Sequence, residues 1–216
     1  MRNREENSFK IFIDMDGTQI DTNKYIQDLL IWIARRGHKM EGVVSSYNIL
    51  RRSGYSIKNH LIFLGESVNT ARMGEKEAEK YFADFSKYIF SDVEPILKRI
   101  QNLGFCLYLL TFGDEEFQKA KWQKLHLLHP FFEKTFFAHK GQSKGEIFVR
   151  ETSSDQVVYF IDDDENWLSQ VKEMAPWVNG VQINRCDSQL ATGSSNGWPI
   201  IGSFEELIKL ILERGV

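Results

Sequence analysis

Cysteine is scarce in this chain. Cys106 and Cys186 are the two in 216 residues, too few for a disulfide framework. Cys106 lies in an apolar run and reads as a buried free thiol, so a reducing, intracellular setting is expected. Long hydrophobic runs are also missing. The most apolar stretches, such as residues 29–34, fall far short of the ~20 residues that a membrane helix requires. Residues 1–7 are polar, with no apolar signal-peptide core. There is no basic excess: 27 Lys and Arg stand against 30 Asp and Glu, for a net charge of −3. That gives no support for non-specific nucleic-acid binding. Proline and glycine are few, 4 and 15, which argues against a disordered or fibrous chain. The expectation is a soluble, cytoplasmic globular protein that binds neither membrane nor nucleic acid.

What the sequence does have is alternation. An apolar segment, Phe9–Ile13, reads as a strand and runs into the acidic turn Asp14-Met15-Asp16-Gly17-Thr18. Helical periodicity follows. Thr22 is placed to cap a helix carrying Ile26, Leu29, Leu30 and Ile33, with Gly37 at its C-terminal stop. Shorter helices are expected over residues 43–52 and 57–64. A long amphipathic helix is expected through Ala78, Tyr81, Phe82, Phe85 and Ile89, with Tyr81, Phe82 and Phe85 in the core. No strand is expected between residues 22 and 90. Beyond them, strands over residues 105–110, 135–138, 157–161 and 181–183 alternate with helices over residues 95–103 and 114–126, from Ser143, after residue 164 and from Ser203. This pattern implies an α/β core with a parallel sheet covered by helices on both faces. Residues 1–21 and 91–216 would form that core, and residues 22–90 an inserted all-helical domain.

Several polar groups share one topological place. Asp14 and Asp16 follow the first strand, Thr111 ends the second, Lys144 opens the helix after the third, and Asp162 and Asp163 follow the fourth. In an open parallel sheet these strand ends converge on one crevice, where ligands bind. Clustered carboxylates repel one another unless a cation lies between them, and hard oxygen donors suit Mg²⁺. A lysine and a hydroxyl beside that cation suit a phosphate, and a carboxylate can act as a covalent nucleophile.

The segment Ile13-Asp14-Met15-Asp16-Gly17-Thr18 resembles motif one of the haloacid dehalogenase (HAD) superfamily, hhDxDGT. Leu109-Leu110-Thr111 resembles motif two, Lys144 with Gly145-Glu146-Ile147-Phe148 motif three, and Tyr159-Phe160-Ile161-Asp162-Asp163 motif four. Order and spacing fit over most of residues 9–216. The helical stretch 22–90 resembles the family's C1 cap. The segment Gly113-Asp114-Glu115-Glu116-Phe117-Gln118 is similar to the stretch after motif two in helical-cap members.

The resemblance implies a Rossmann-like HAD core and a Mg²⁺-dependent phosphatase acting on a small phosphorylated metabolite. Asp14 would attack phosphorus. Asp16 would protonate the leaving oxygen and then deprotonate the hydrolytic water. Thr111 and Lys144 would hold the phosphoryl oxygens, aided by the backbone N–H of Phe112. Asp14, the carbonyl of Asp16, and Asp163 would hold Mg²⁺, with Asp162 supporting the metal or its waters. A carboxylate at Asp16 favours phosphoryl transfer over dehalogenation, because an alkoxide needs a proton on leaving and a halide does not.

Departures and rivals accompany this reading. Gln19 stands where the family carries an apolar residue, Phe112 where it often carries a small polar one, and Gly145 where proline is frequent. Lys140 competes with Lys144, and Asp162 with Asp163 as direct ligand. Asp164 reads as the cap of the next helix. A phosphomutase, a phosphonatase using Lys24, Lys39 or Lys58, and a non-catalytic phosphometabolite-binding protein are the alternatives. Among the basic and aromatic groups of the helical stretch, Arg35, Arg36, Lys39, Arg51, Arg52, Tyr55, Lys58, His60 and Arg72 could meet an anionic substrate, although most read as solvated faces. Gly193-Ser194-Ser195-Asn196-Gly197 matches G-x-S-x-G but lacks the strand and helix of a nucleophile elbow. His126 and His129 read as helix-end and packing residues.

Overall fold

A computed structural model describes residues 9–51, 55–185 and 197–213. Its centre is a six-stranded sheet of β1 (Phe9–Ile13), β2 (Cys106–Phe112), β3 (Phe132–Ala138), β4 (Val157–Asp162), β5 (Val178–Ile183) and the short β6 (Ile200–Ile201). The order is β3-β2-β1-β4-β5-β6, and every pairing is parallel. Strand order therefore reverses at β1, which pairs β2 on one side and β4 on the other. The crevice beyond the carboxyl ends of β1, β2 and β4 lies at this switch point.

Alternation along each strand sorts side chains onto two faces. Ile11, Ile13, Leu107, Leu109, Tyr159 and Ile161 pack on one face, with α5 (Val93–Asn102) and α9 (Phe204–Glu213). Phe12, Tyr108, Leu110, Val158 and Phe160 pack on the other, against α7 (Lys144–Glu151) and α8 (Glu165–Met174). With both faces covered, the strands read as continuous apolar runs. Cys106 is buried and its Sγ donates to Glu133 Oε1 at 2.8 Å, and Cys186 lies outside the described residues, as does most of the G-x-S-x-G match.

Between β1 and α5 the chain leaves the sheet for four helices: α1 (Thr22–Ala34), α2 (Met40–Leu50), α3 (Ile57–Phe63) and α4 (Val68–Tyr81). No strand forms here among the described residues, although Ile20 and Ile89 pair as an isolated antiparallel bridge. Asp21 N–H donates to the Tyr88 carbonyl (2.7 Å) and Phe90 N–H to that of Gln19 (3.1 Å). The outgoing and returning chains thus run side by side as a two-stranded ribbon.

Two local expectations fail. The helix expected through Ile89 stops at Tyr81, and a 3₁₀ turn at Ser86–Tyr88 follows. Phe82 and Phe85 are buried, but Tyr81 is exposed. The apolar residues beyond Tyr81 are buried by a turn that aims Phe85 and Tyr88 at Tyr25, so their spacing imitates helical periodicity without a helix. Thr22 is not the cap of α1. Asp21 is, accepting the N–H of Lys24 at 2.9 Å, which frees the Thr22 hydroxyl for the crevice. Asp114, Ser143 and Asp164 cap α6 (Glu115–Lys124), α7 and α8.

One buried cation ties the crevice loop to the scaffold. Arg185, just after β5, donates to the Thr18 carbonyl through Nε and Nη2 (3.1 and 2.8 Å). It reaches Asp92 through Nη1 (2.7 Å) and packs between Phe90 and Phe204. Asp92 also accepts the Phe204 N–H at 2.7 Å. Arg185→Leu leaves Asp92 partly buried without its cation. It is expected to cost about 3 kcal/mol, read as a lower urea midpoint with an unchanged m-value.

Candidate active site

The loop after β1 is built by backbone hydrogen bonds. Asp14 N–H donates to the Ile161 carbonyl (2.9 Å), which anchors the loop to β4. The N–H groups of Gln19 and Ile20 both reach the Met15 carbonyl, at 3.0 and 3.1 Å. Gln19 does not disturb this packing. It is fully buried, and its Nε2 donates to the Asp14 carbonyl at 2.9 Å. Gly17 has φ +73°, and a Cβ there would lie 2.3 Å from Asp163 Oδ2. Glycine is therefore required both by the turn and by the carboxylate pressed against it.

Lys144 is the hinge of the electrostatics. It opens α7 behind the Ser143 cap and is almost wholly buried. Its Nζ lies 2.6 Å from Asp14 Oδ1 and 2.7 Å from Asp162 Oδ2. The other oxygen of Asp162 accepts the Asp164 N–H at 2.9 Å, so both are engaged. Lys140 sits exposed in the loop after β3 and makes neither contact. Burial, then Asp162, Asp163 and Asp16, push the Asp14 carboxyl well above the usual range, with Lys144 opposing. Burial likewise raises Asp162 against the pull of Lys144. Asp163 is pushed up to about 7 by desolvation in the crevice and then by the charge of Asp162.

Asp14, Asp162 and Asp163 bring carboxylate oxygens within 4.8 Å of one another. One lysine against three carboxylates leaves a negative excess, and all three titrate high, burial being the largest cause for each. An oxygen-only donor set of this charge fits a hard divalent cation such as Mg²⁺. Asp162 Oδ2 is taken by Lys144 and its Oδ1 by the Asp164 N–H, which leaves Asp14 and Asp163 as the members with an oxygen outside those contacts. Thr111, at the end of β2, is buried, and its hydroxyl has no hydrogen-bond partner among the described residues. Phe112 packs its ring on Trp167, with centroids 4.5 Å apart.

The Asp16 carboxylate stands apart from this cluster, in a site of its own. Oδ1 accepts from the Thr22 hydroxyl (2.9 Å); Oδ2 accepts from Gln118 Nε2 (3.0 Å) and forms an ion pair with buried Lys121. Burial works to raise its pKa, but Lys121, then Gln118 and Thr22, outweigh that, and Asp16 titrates low. Sequence reasoning passed over Lys121 and gave Thr22 only a capping role. The available signal was spacing on α6, where Gln118 and Lys121 lie three residues apart on one helical face, downstream of Thr111.

Of the helical-segment candidates, Arg51 and Tyr55 reach the crevice. Arg36 instead pairs with Glu66 and Glu77, and His60 is sealed inside the segment. Arg52 lies outside the described residues. His129 stacks on Trp122 and its Nε2 lies 2.8 Å from that residue's carbonyl, a packing role.

Similarity to known proteins lies in structure rather than sequence. No protein-family model matches the chain, and no curated protein matches its sequence significantly. A haloacid dehalogenase-like protein from Burkholderia xenovorans superposes with TM-score 0.72 at 14% identity, covering 94% of this chain and 98% of the other. A Bacillus subtilis HAD protein solved with magnesium bound gives 0.60 at 14% identity, covering 94% and 98%. A Thermotoga maritima protein named for β-phosphoglucomutase gives 0.63 at 17% identity, covering 95% and 99%. The fold is that of the HAD-like hydrolases, with the Rossmann-like parallel core expected from the sequence.

The raised pKa of Asp163 has a consequence for stability. Its folded value of about 7 lies above the ordinary 3.8, so the folded state holds the proton more tightly. The stabilisation this group gives at low pH is lost as pH rises from about 4 to about 7. At pH 8 without metal, Asp163→Asn is expected to raise Tm by about 2–4 °C, the equivalent of about 1 kcal/mol for a chain of this size. Because Asp163 is one of three carboxylates that could hold a cation, a Tm gain with millimolar Mg²⁺ is expected for the unsubstituted protein and not for Asp163→Asn. Thermal melts with Mg²⁺ and with EDTA check both.

Proposed function

We propose that this chain is a Mg²⁺-dependent phosphatase of the HAD superfamily, hydrolysing a small phosphorylated metabolite through an aspartyl-phosphate. The observation that carries this reading is the division of labour between two aspartates of one turn. Asp14 is locked by Lys144 among the acidic groups, while Asp16, two residues on, is held in a separate site by Thr22, Gln118 and Lys121.

Asp14 Oδ2, free of the Lys144 contact, is the nucleophile. It forms a bond to phosphorus as the ester P–O bond breaks, and the departing alkoxide takes a proton that Asp16, ionised at rest beside Lys121, has first taken up from solvent. Asp16 then takes a proton from water, whose oxygen bonds to phosphorus as the bond to Asp14 breaks and inorganic phosphate leaves. Lys121 keeps Asp16 ionised at rest, which suits the second half-reaction. Lys144 offsets charge on Asp14 and on the phosphoryl oxygens, and the unpartnered Thr111 hydroxyl is free to donate to one of them. Asp14, Asp163 and the Asp16 carbonyl would hold Mg²⁺, with Asp162 in support through its hold on Lys144. The ion supplies charge neutralisation for a dianionic ester.

Residues 22–90 act as a cap domain on a core of residues 1–21 and 91–216. The paired ribbon of residues 19–21 and 88–90 joins them, and the cap presents Tyr47, Arg51 and Tyr55 to the crevice. Closure of such a cap excludes water and selects substrate.

The test is phosphate release from an aryl phosphate and a phosphometabolite panel, with Mg²⁺ and with EDTA. Activity is expected only with Mg²⁺. Asp14→Asn is expected to lose on the order of 10⁴-fold or more in kcat, and Asp16→Asn to accumulate phosphoenzyme. Undiminished turnover by purified Asp14→Asn would refute the covalent route. Transfer to a sugar hydroxyl without net phosphate release would reassign the chain as a mutase.

A further inference from the structure

The crevice has two lobes, and they differ in chemistry. The first, of about 630 Å³, holds Asp14, Thr111, Lys144 and the Asp162–Asp163 pair. The second, of about 600 Å³, lies between the helical segment and the loops after β2 and β3. Both are of a size that takes small organic ligands. Asp16, Thr22, Tyr47, Arg51 and Phe112 line both lobes, so the two are continuous, and Asp16 stands at their border.

That border fixes the direction of the substrate. With the phosphoryl group against Asp14, Thr111 and Lys144, the ester oxygen faces Asp16. The remainder of the alcohol then extends into the second lobe. There it meets four aromatic rings: Tyr47, Tyr55, Phe112 and Phe117. Tyr47 and Tyr55 stand at 5.2 Å and 69°, Tyr55 and Phe117 at 5.5 Å and 71°. This edge-to-face staircase bridges the helical segment and the core. Tyr47, Phe112 and Phe117 remain half-exposed.

A second, independent arrangement fixes the middle ring. The Tyr55 hydroxyl lies 2.8 Å from His60 Nδ1. His60 Nε2 lies 2.6 Å from Ser46 Oγ and 3.2 Å from the Val43 carbonyl, and Ser46 Oγ also reaches the Gly42 carbonyl at 2.8 Å. The set is satisfied when neutral His60 donates from Nε2 and accepts the Tyr55 proton at Nδ1. Burial, which pushes the His60 pKa down to about 4, keeps it neutral. A buried polar chain inside an apolar helical packing is tolerated when every member is partnered, and then it rigidifies. Its end facing the crevice is Tyr55.

Resting on the phosphatase reading, we infer that the alcohol released by this enzyme carries a planar aromatic ring, bound on the Tyr47–Tyr55–Phe117 wall. Offset and edge-on contacts with such a wall favour a flat π-system over a saturated group of equal size. Arg51 and Lys140, at the rim of the lobe, are donors for a ring carbonyl or ring nitrogen. A nucleobase and a directly attached aryl ring share this chemistry and differ in their distance from phosphorus.

Two matched pairs of esters separate these sources and test the wall. One is a nucleoside 5′-monophosphate against ribose 5-phosphate; the other is benzyl phosphate against cyclohexylmethyl phosphate. The ring-bearing member of at least one pair is expected to show a kcat/KM about tenfold higher or more. The pair that shows it tells how far the ring lies from phosphorus. Tyr55→Leu and Phe117→Leu are expected to lower that ratio several-fold. Equal or reversed rates in both pairs with the unsubstituted protein overturn the inference and leave the phosphatase reading standing. A ring preference unchanged by both substitutions overturns the assignment to this wall. No Mg²⁺-dependent release from any of the four esters or from an aryl phosphate overturns the phosphatase reading, and this inference with it.

Discussion

The Lys144 ammonium, held between Asp14 and Asp162, is the contact on which the crevice depends. Two buried carboxylates side by side cannot both stay ionised without a counter-charge. Lys144 supplies it from the first turn of α7, a helix whose start is fixed by the Ser143 cap. The contact thereby couples the ends of β1 and β4 to the segment after β3. Remove the cation and the carboxylates must protonate, separate or unfold the loop. The cluster still carries more negative than positive charge. That residual repulsion is an unfavourable local term retained where a ligand of opposite charge can use it.

Much of this site was legible in the sequence, because its members are tied to positions that local rules mark. Asp14, Thr111 and Asp162 follow or end apolar runs that can only be buried strands. Lys144 lies directly after a serine with capping spacing. Topology then does what sequence distance conceals, since a parallel sheet with its switch point at β1 brings those ends together.

The rest was hidden for physical reasons. Lys121 and Gln118 sit on a helix that is polar nearly all round, and their shared spacing alone does not say that this face is turned inward onto Asp16. Thr22 satisfied the pattern of a helix cap, yet Asp21 took that role and left its hydroxyl to the crevice. Tyr81 carried core periodicity, but the helix ended beneath it. Gln19 looked like a misplaced polar residue until its amide met the Asp14 carbonyl. For Lys121 and Gln118 the partner lies more than a hundred residues away, and for Thr22 and Gln19 it lies in the turn after β1, so these contacts rather than propensity decided the outcome.

The ribbon of residues 19–21 and 88–90 has a mechanical implication. Two extended chains cross-linked by hydrogen bonds flex far more readily out of their common plane than within it. Such a connection favours swinging of the helical segment about one axis over free drift, and contacts such as Tyr55 on Phe117 tie the segment to the core as well. Thr22, which grips Asp16, is the first residue past that ribbon. A swing of the segment would therefore pull on the Asp16 side chain itself, so that, in the mechanism proposed above, access to the crevice and readiness for proton transfer share a single moving part.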